Sequence, residues 1–473
     1  MLTALLLGCG PGAGAPDDVS PDVDTAAPAV LPTFQGSVPR NLLVLSVDTM
    51  RRDHMSRYSD DKTLTPFLDS LALTGFVLDD HTSCSNWTVA GTTCALAGAS
   101  NLDRAEARGM FPILGQTVLQ ALPGNGDPNG PTPLLPRWLS DADYSTTLVT
   151  SNGFFSRAWG NTQGYQHVSF PGFSPVPQIW AKAQELIDGD VPLGDPWLLH
   201  LHFFEPHSPY TPTEAYAEAM KTLPPIPLDV STRDGQDEAR ETIRLDPPVL
   251  TEAEIEGVKE HLRFLYAGEV RRFDQGLADM WGELDARGLL DDTLVVFWTD
   301  HGEAFWEQNV AQHARLLHPN ENDALALFWA KNIEPGAWKG PTTHADLTPT
   351  ILTLLQRPIP EEVSGIPVGL APPDRARFSL ADGYAGPVQA VRRGTDLLHF
   401  RWRHPADILV GLYDLSVDPQ AENNLYRPDE PVADRWLPLW DLLRPKILQA
   451  EPFIAQDPRG YQLLWPDNLP TDG

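Results

Sequence analysis

The chain has 473 residues, 42% of them hydrophobic, and 14 tryptophans, enough apolar matter for a large core and too much for a disordered chain. Acidic residues outnumber Lys and Arg by 64 to 34, giving a net charge of −30. That acidity, with no basic stripe, argues against nucleic acid as a partner. An anionic substrate would need local positive charge or a metal to offset the field.

Residues 1–8, MLTALLLG, are apolar but too short to span a bilayer. Cys9 follows Leu6-Leu7-Gly8 as the lipidated cysteine follows a bacterial lipobox, without the basic segment of a signal peptide. The expectation is an exported protein, periplasmic or anchored at the outer membrane through a lipid on Cys9. Residues 10–38 are rich in Gly, Ala, Pro and Asp and read as an acidic tether. The expected units are therefore an export segment and linker over 1–38, a catalytic domain over 39–370 and a C-terminal subdomain over 371–473.

The run Leu42-Leu43-Val44-Leu45-Ser46-Val47 is apolar throughout, as in a parallel strand buried on both faces, and ends at Asp48. A second strand is expected over 197–202. Val270, Phe273, Leu277, Met280, Trp281 and Leu284 recur at helical spacing, with Gly288 where the helix should end. A third apolar strand over 293–298 then leads into Thr299-Asp300-His301-Gly302. The alternation predicts an α/β fold with a doubly wound, mostly parallel sheet. Such sheets bind ligands beyond the carboxyl ends of their strands, and Asp48 and the Asp300-His301 pair occupy two of those ends. Residues 222–250 are Pro- and charge-rich and read as a surface excursion. After 371, short strands over 388–392, 397–402 and 408–413 and a helix over 434–449 predict a small antiparallel α+β subdomain.

Asp48, Asp300 and His301 suit one divalent ion, with carboxylate and imidazole matching Ca, Mn or Zn to different degrees. The other reading of an aspartate after a strand is a helix N-cap. Thr88 precedes a small-residue helical stretch, where it is either an N-cap or a nucleophile beside the metal. His202, His207, His313, His318 and His344 are candidates for anion binding, proton transfer or metal ligation. Cys84 and Cys94 flank Thr88 as small buried residues or, in an oxidising compartment, as a disulfide at the rim of the site.

Several runs, in order, resemble the sulfatase family. Asn41 to Asp48 with Thr49-Met50-Arg51-Arg52-Asp53-His54 resembles its opening motif, and Thr65-Pro66-Phe67-Leu68-Asp69-Ser70-Leu71-Ala72 its next. Glu205-Pro206-His207-Ser208-Pro209-Tyr210, the run from Leu289 to Asp300-His301-Gly302-Glu303, and Leu412-Tyr413-Asp414-Leu415 with Glu422-Asn423-Asn424-Leu425 complete the series. The resemblance implies an alkaline-phosphatase-like fold and one metal held by Asp48, Thr88, Asp300 and His301. It also implies His207 and His313 against the substrate's oxyanion and Arg51 near the nucleophile. One departure matters: sulfatases convert a Cys or Ser to formylglycine, and here the matching position is Thr88, which cannot be so converted. Another is Thr395-Asp396-Leu397, where many sulfatases carry a basic residue. The expected activity is metal-dependent hydrolysis of a small-molecule, glycan or lipid ester of sulfate or phosphate. The alternatives are a phospho-group transferase and a ligand-binding member without turnover.

Overall fold

The computed structural model describes residues 31–100, 133–156, 159–383, 386–402, 410–454 and 461–470, so Cys9 and most of the expected tether lie outside the described residues. The main sheet is built from β1 (Asn41–Val47), β2 (Phe76–Thr82), β3 (Ser145–Thr150), β4 (His167–Ser169), β5 (Trp197–Phe203), β6 (Thr293–Thr299), β9 (Ala326–Trp329) and β10 (Gly336–Thr343), with β7 (Ala304–Phe305) and β8 (Ala311–Gln312) forming a separate hairpin. The strand order is β10-β2-β9-β6-β1-β5-β3-β4. β1 pairs in parallel with β5 and β6, while β9 runs antiparallel to both β2 and β6.

Helices of the described residues that shape the fold are α1 (Pro66–Thr74), α2 (Thr88–Ala97), α3 (Leu135–Ser140), α4 (Val176–Asp188), α5 (Arg233–Ile243), α6 (Glu252–Ala286), α7 (Leu347–Leu354) and α8 (Leu437–Ile454). β1 shows why its sequence has no polar face. Leu43, Leu45 and Val47 enter a core shared with α4 and α6, and Leu42 and Val44 enter the opposite core, shared with α2, α3 and α7. A strand covered on both sides must be apolar on both. Gly288, at φ +70°, follows the last turn of α6 in the left-handed conformation that glycine adopts without strain.

The expected strands and helices are present where the structure describes them, with two additions. The excursion over 222–250 carries α5, which buries Gln236, Ala239 and Arg240 and leaves Arg233, Asp234, Asp237, Glu238 and Glu241 exposed. The C-terminal sheet has an extra strand, β11 (Arg377–Gly383), beside β12 (Gly386–Arg393), β13 (Asp396–Arg401) and β14 (Val410–Asp414). α8 packs on this sheet through Trp440, Leu443 and Ile447. β11 also bonds to the loop after β2: Leu380 N donates to Cys84 O at 2.9 Å and Ser379 Oγ to Ser83 O at 3.0 Å. The C-terminal sheet thereby braces the loop that leads into α2.

Candidate active site

The ends of β1, β6 and β2 converge. Asp48 follows β1, Asp300 and His301 follow β6, and the loop after β2 delivers Thr88. All four residues are buried. Thr49, between Asp48 and the turn, has φ +54°, a strained conformation for a threonine; its amide donates to Asp300 Oδ1 at 3.1 Å and its carbonyl accepts from Tyr266 at 2.8 Å.

His301 Nε2 lies 3.6 Å from Asp48 Oδ1 and 3.6 Å from Asp300 Oδ2. These three atoms are buried and without a hydrogen-bond partner. Unpaired buried polar atoms are costly, and three of them facing one another fit a divalent cation. The protonation states agree. His301 Nδ1 is 2.9 Å from the Gly302 carbonyl, which only accepts, so Nδ1 carries the proton and Nε2 presents its lone pair. Burial, and then His313, hold His301 well below its usual pKa, leaving it neutral. In the protein without an ion, burial raises Asp48 and Asp300 well above the usual carboxylate range, and the neighbouring Asp300 raises Asp48 further.

Thr88 is the first residue of α2; Trp87 holds the N-cap position and no side chain caps the helix. Thr88 is therefore not a cap. Its hydroxyl interacts with the carboxylates of both Asp48 and Asp300, at the end of a helix whose amide dipoles favour an anion. Gly91 is what lets α2 come so close, because a Cβ there would stand 2.6 Å from the Asp300 carbonyl oxygen. Cys84 and Cys94 are joined by a disulfide that ties this loop to the helix, with both cysteines buried.

On the far side of His301 the His313 ring lies at 4.6 Å and the His207 ring 5.0 Å beyond it, centroid to centroid. Glu303 underlies them: His313 Nδ1 is 3.2 Å from Oε1 and Tyr210 donates to Oε2 at 3.2 Å. Burial works to raise Glu303, but His313 and then His207 hold it below its usual range. Burial, then His313, lowers His207 to about 4. Arg51 is buried and its guanidinium makes four hydrogen bonds, two to Asp53, one to Glu307 and one to the Glu303 carbonyl.

Three candidate histidines stand elsewhere. His202 shares the Ser46 hydroxyl with His200 inside the sheet, His318 packs against His399 and Tyr413 of the C-terminal sheet, and His344 lies behind β6, with Nε2 3.2 Å from the backbone oxygen of Asp300, Nδ1 3.0 Å from His81 and its ring against Trp298. Asn152, which the sequence does not single out, is at the centre: Nδ2 donates to Asp48 Oδ2 at 2.6 Å and lies 3.5 Å from Thr88 Oγ.

A sulfatase family model matches residues 40–357. The chain belongs to the sulfatase family. It is 26% identical over 275 residues to the choline-sulfatase of Rhizobium meliloti (strain 1021), covering 55% of this chain and 52% of that protein. It is 27% identical over 198 residues to the multifunctional alkaline phosphatase superfamily protein PehA of Trinickia caryophylli, covering 36% of each. This sulfatase-family chain thus spans about half the length of the first relative and about a third of the second. Among solved structures, one in complex with its substrate D-glucosamine-2-N,6-O-disulfate superposes with a TM-score of 0.66 at 17% identity, over 89% of this chain and 99% of that one. The phosphonate monoester hydrolase of Silicibacter pomeroyi superposes with a TM-score of 0.61 at 18% identity, over 90% and 99%. At such identities the likeness is one of fold, an alkaline-phosphatase-like α/β architecture.

Proposed function

We propose that this protein hydrolyses sulfate or phosphate esters, phosphate esters by preference, with unmodified Thr88 as nucleophile. The observation that carries the reading is the position of the Thr88 hydroxyl at an uncapped helix N-terminus against two carboxylates whose free oxygens face His301 Nε2. Asp48, Asp300 and His301, with Thr88, would hold one divalent cation. When bound, the cation supplies the positive charge that favours the alkoxide and offsets the ester's negative charge.

Thr88 Oγ attacks the central phosphorus or sulfur, and the bond to the organic oxygen breaks on the opposite side. Asn152 and the α2 N-terminus steady the charge on the attacked group. The proton that Thr88 loses on attack is taken up by His207 or His313, both of which interact with Glu303, and is returned to the leaving alkoxide, so the step consumes no outside acid. Water then cleaves the threonyl ester, restoring the hydroxyl and releasing the inorganic acid. The preference for phosphate follows from Thr88. A formylglycine hydrate expels sulfate by elimination, whereas a threonyl ester must be attacked by water at its central atom, and phosphorus accepts that attack more readily than sulfur. The Cys84–Cys94 disulfide supports both an unmodified site and export to an oxidising compartment.

The test is turnover of aryl sulfate, phosphate monoester and phosphodiester panels, with peptide mass spectrometry of acid-quenched enzyme. A phosphoryl adduct on the Thr88 peptide and a loss of roughly 10⁴-fold or more in kcat for Thr88→Ala are expected, by analogy with other lost nucleophiles. Near-normal turnover in Thr88→Ala would overturn the assignment.

A further inference from the structure

From Ser151 to Ala181 the chain runs without one Asp, Glu or Lys, in a protein with 64 acidic side chains. The same stretch places aromatic rings in solvent: Phe154 is 43% exposed, Phe170 47% and Phe173 65%. Contiguous exposed apolar surface is uncommon and usually marks a binding site.

The rings form a band that begins and ends at the active site. Trp87, immediately before Thr88, meets Phe154 and Trp159 edge-on, with centroids at 6.2 and 5.7 Å. Phe154 follows Asn152 by two residues. Gly153 then bridges to Phe170, whose ring tip would lie 3.8 Å from a Cβ at that glycine. Phe170 meets Phe173 at 5.7 Å, Phe173 meets Phe204 at 4.7 Å and Phe204 meets His207 at 4.3 Å. The band therefore runs from the residue beside the nucleophile to one of the histidines facing it.

We infer that this band is the subsite for the organic half of the ester, and that this half is apolar, an alkyl chain or an aryl ring. The inference rests on the ester-hydrolase reading above. Two observations favour an apolar group over a polar one. The acid-free stretch offers none of the carboxylates that take sugar hydroxyls. Trp87, Phe154 and Trp159 pack in mutual contact, with centroids 5.4–6.2 Å apart, which leaves no box between them for a quaternary ammonium group. The same lack of acid keeps the −30 field away from the path of an anionic ester.

The experiment is a homologous series of n-alkyl phosphate and sulfate esters from methyl to octyl, with phenyl esters to separate ring from chain. Each buried methylene should raise kcat/KM about three- to fourfold until the chain outruns the band. Phe173→Ser and Phe170→Ser should each lower the octyl-to-methyl ratio at least tenfold. Leu73→Ser, on an exposed leucine of α1 outside the band, should leave the ratio in place. A flat series in the wild type, a ratio that survives both phenylalanine substitutions, or a sugar or choline ester outrunning octyl and phenyl would overturn the inference while the hydrolase reading stands. If no ester turns over, the hydrolase reading fails and titration with octylphosphonate against methylphosphonate decides the band by itself. Tighter octyl binding that Phe173→Ser removes supports it, and equal binding refutes it.

Discussion

The side-chain amide of Asn152 donates to Asp48 Oδ2 at 2.6 Å, joining the loop after β3 to the end of β1. The bond occupies one carboxylate oxygen and turns the other, Oδ1, toward His301 and Asp300. Partners of this kind orient metal ligands and are worth 10- to 100-fold in affinity or activity. Asn152→Ala should therefore fold, lower kcat/KM by about 10- to 100-fold and weaken divalent-ion binding by a similar factor. Steady-state kinetics across an ion titration checks both, and a variant normal in the two would remove Asn152 from the site.

The three orphaned atoms of Asp48, Asp300 and His301 predict ion-dependent stability. An ion that binds only the folded protein adds about 2.7 kcal/mol at one hundred times its Kd. Tm should rise on adding Mn²⁺, Ca²⁺ or Zn²⁺ to chelator-treated protein, and elemental analysis should give about one ion per chain. Asp300→Asn should abolish the shift. A wild-type Tm indifferent to all three ions would count against the site.

Arg51 is held on three sides by Asp53, Glu307 and the Glu303 carbonyl, with its side chain 5% exposed. Removing one partner of a buried ion pair leaves the others uncompensated, at a cost of about 3–5 kcal/mol. Arg51→Met should lower stability by that order in denaturant titrations. Its main effect on activity should come through loosening of the Glu303–Glu307 turn. A variant of wild-type stability with turnover lost would instead give Arg51 a direct part in the chemistry.

Why some of this was legible in the sequence and some was not has a physical basis. β1 and β6 are buried on both faces, so their sequences are apolar almost throughout, Ser46 being the exception inside β1, and Asp48, Asp300 and His301 stand out where the apolar runs stop. Thr88 was readable as a helix-start residue, but cap and nucleophile differ only in where the hydroxyl points. Asn152 gave no signal, since an asparagine after a strand is ordinary turn composition, and its role depends on Asp48, 104 residues away. β11 was hidden because its alternation covers only Arg377 to Leu380 before Ala381 and Asp382 break it; Arg377 bonds to Asp80 in β2 and Ser379 to Ser83 just after it. The aromatic band was invisible because its rings come from four separate loops, those after β2, β3, β4 and β5.

Glu321 gives a prediction in pH. Its carboxylate is fully buried and accepts from Asn86 Nδ2 at 2.7 Å and from the amides of Arg315 and Leu316 at 3.0 and 3.1 Å, tying the segment before Thr88 to the loop after His313. Burial raises its pKa from 4.5 to about 8, against the pull of those donors. A pKa raised on folding means that the native state binds the proton more tightly than the unfolded chain, so stability must fall as pH rises between the two values. The contribution is complete below about pH 4.5 and is lost as pH passes through 8. Glu321→Gln cannot ionise, so the difference in Tm between wild type and variant should move against the wild type from pH 5 to pH 8.5. Thermal melts of both proteins in matched buffers measure it. A difference that stays constant across that range would mean that Glu321 is already ionised in the folded protein, its three donors outweighing burial.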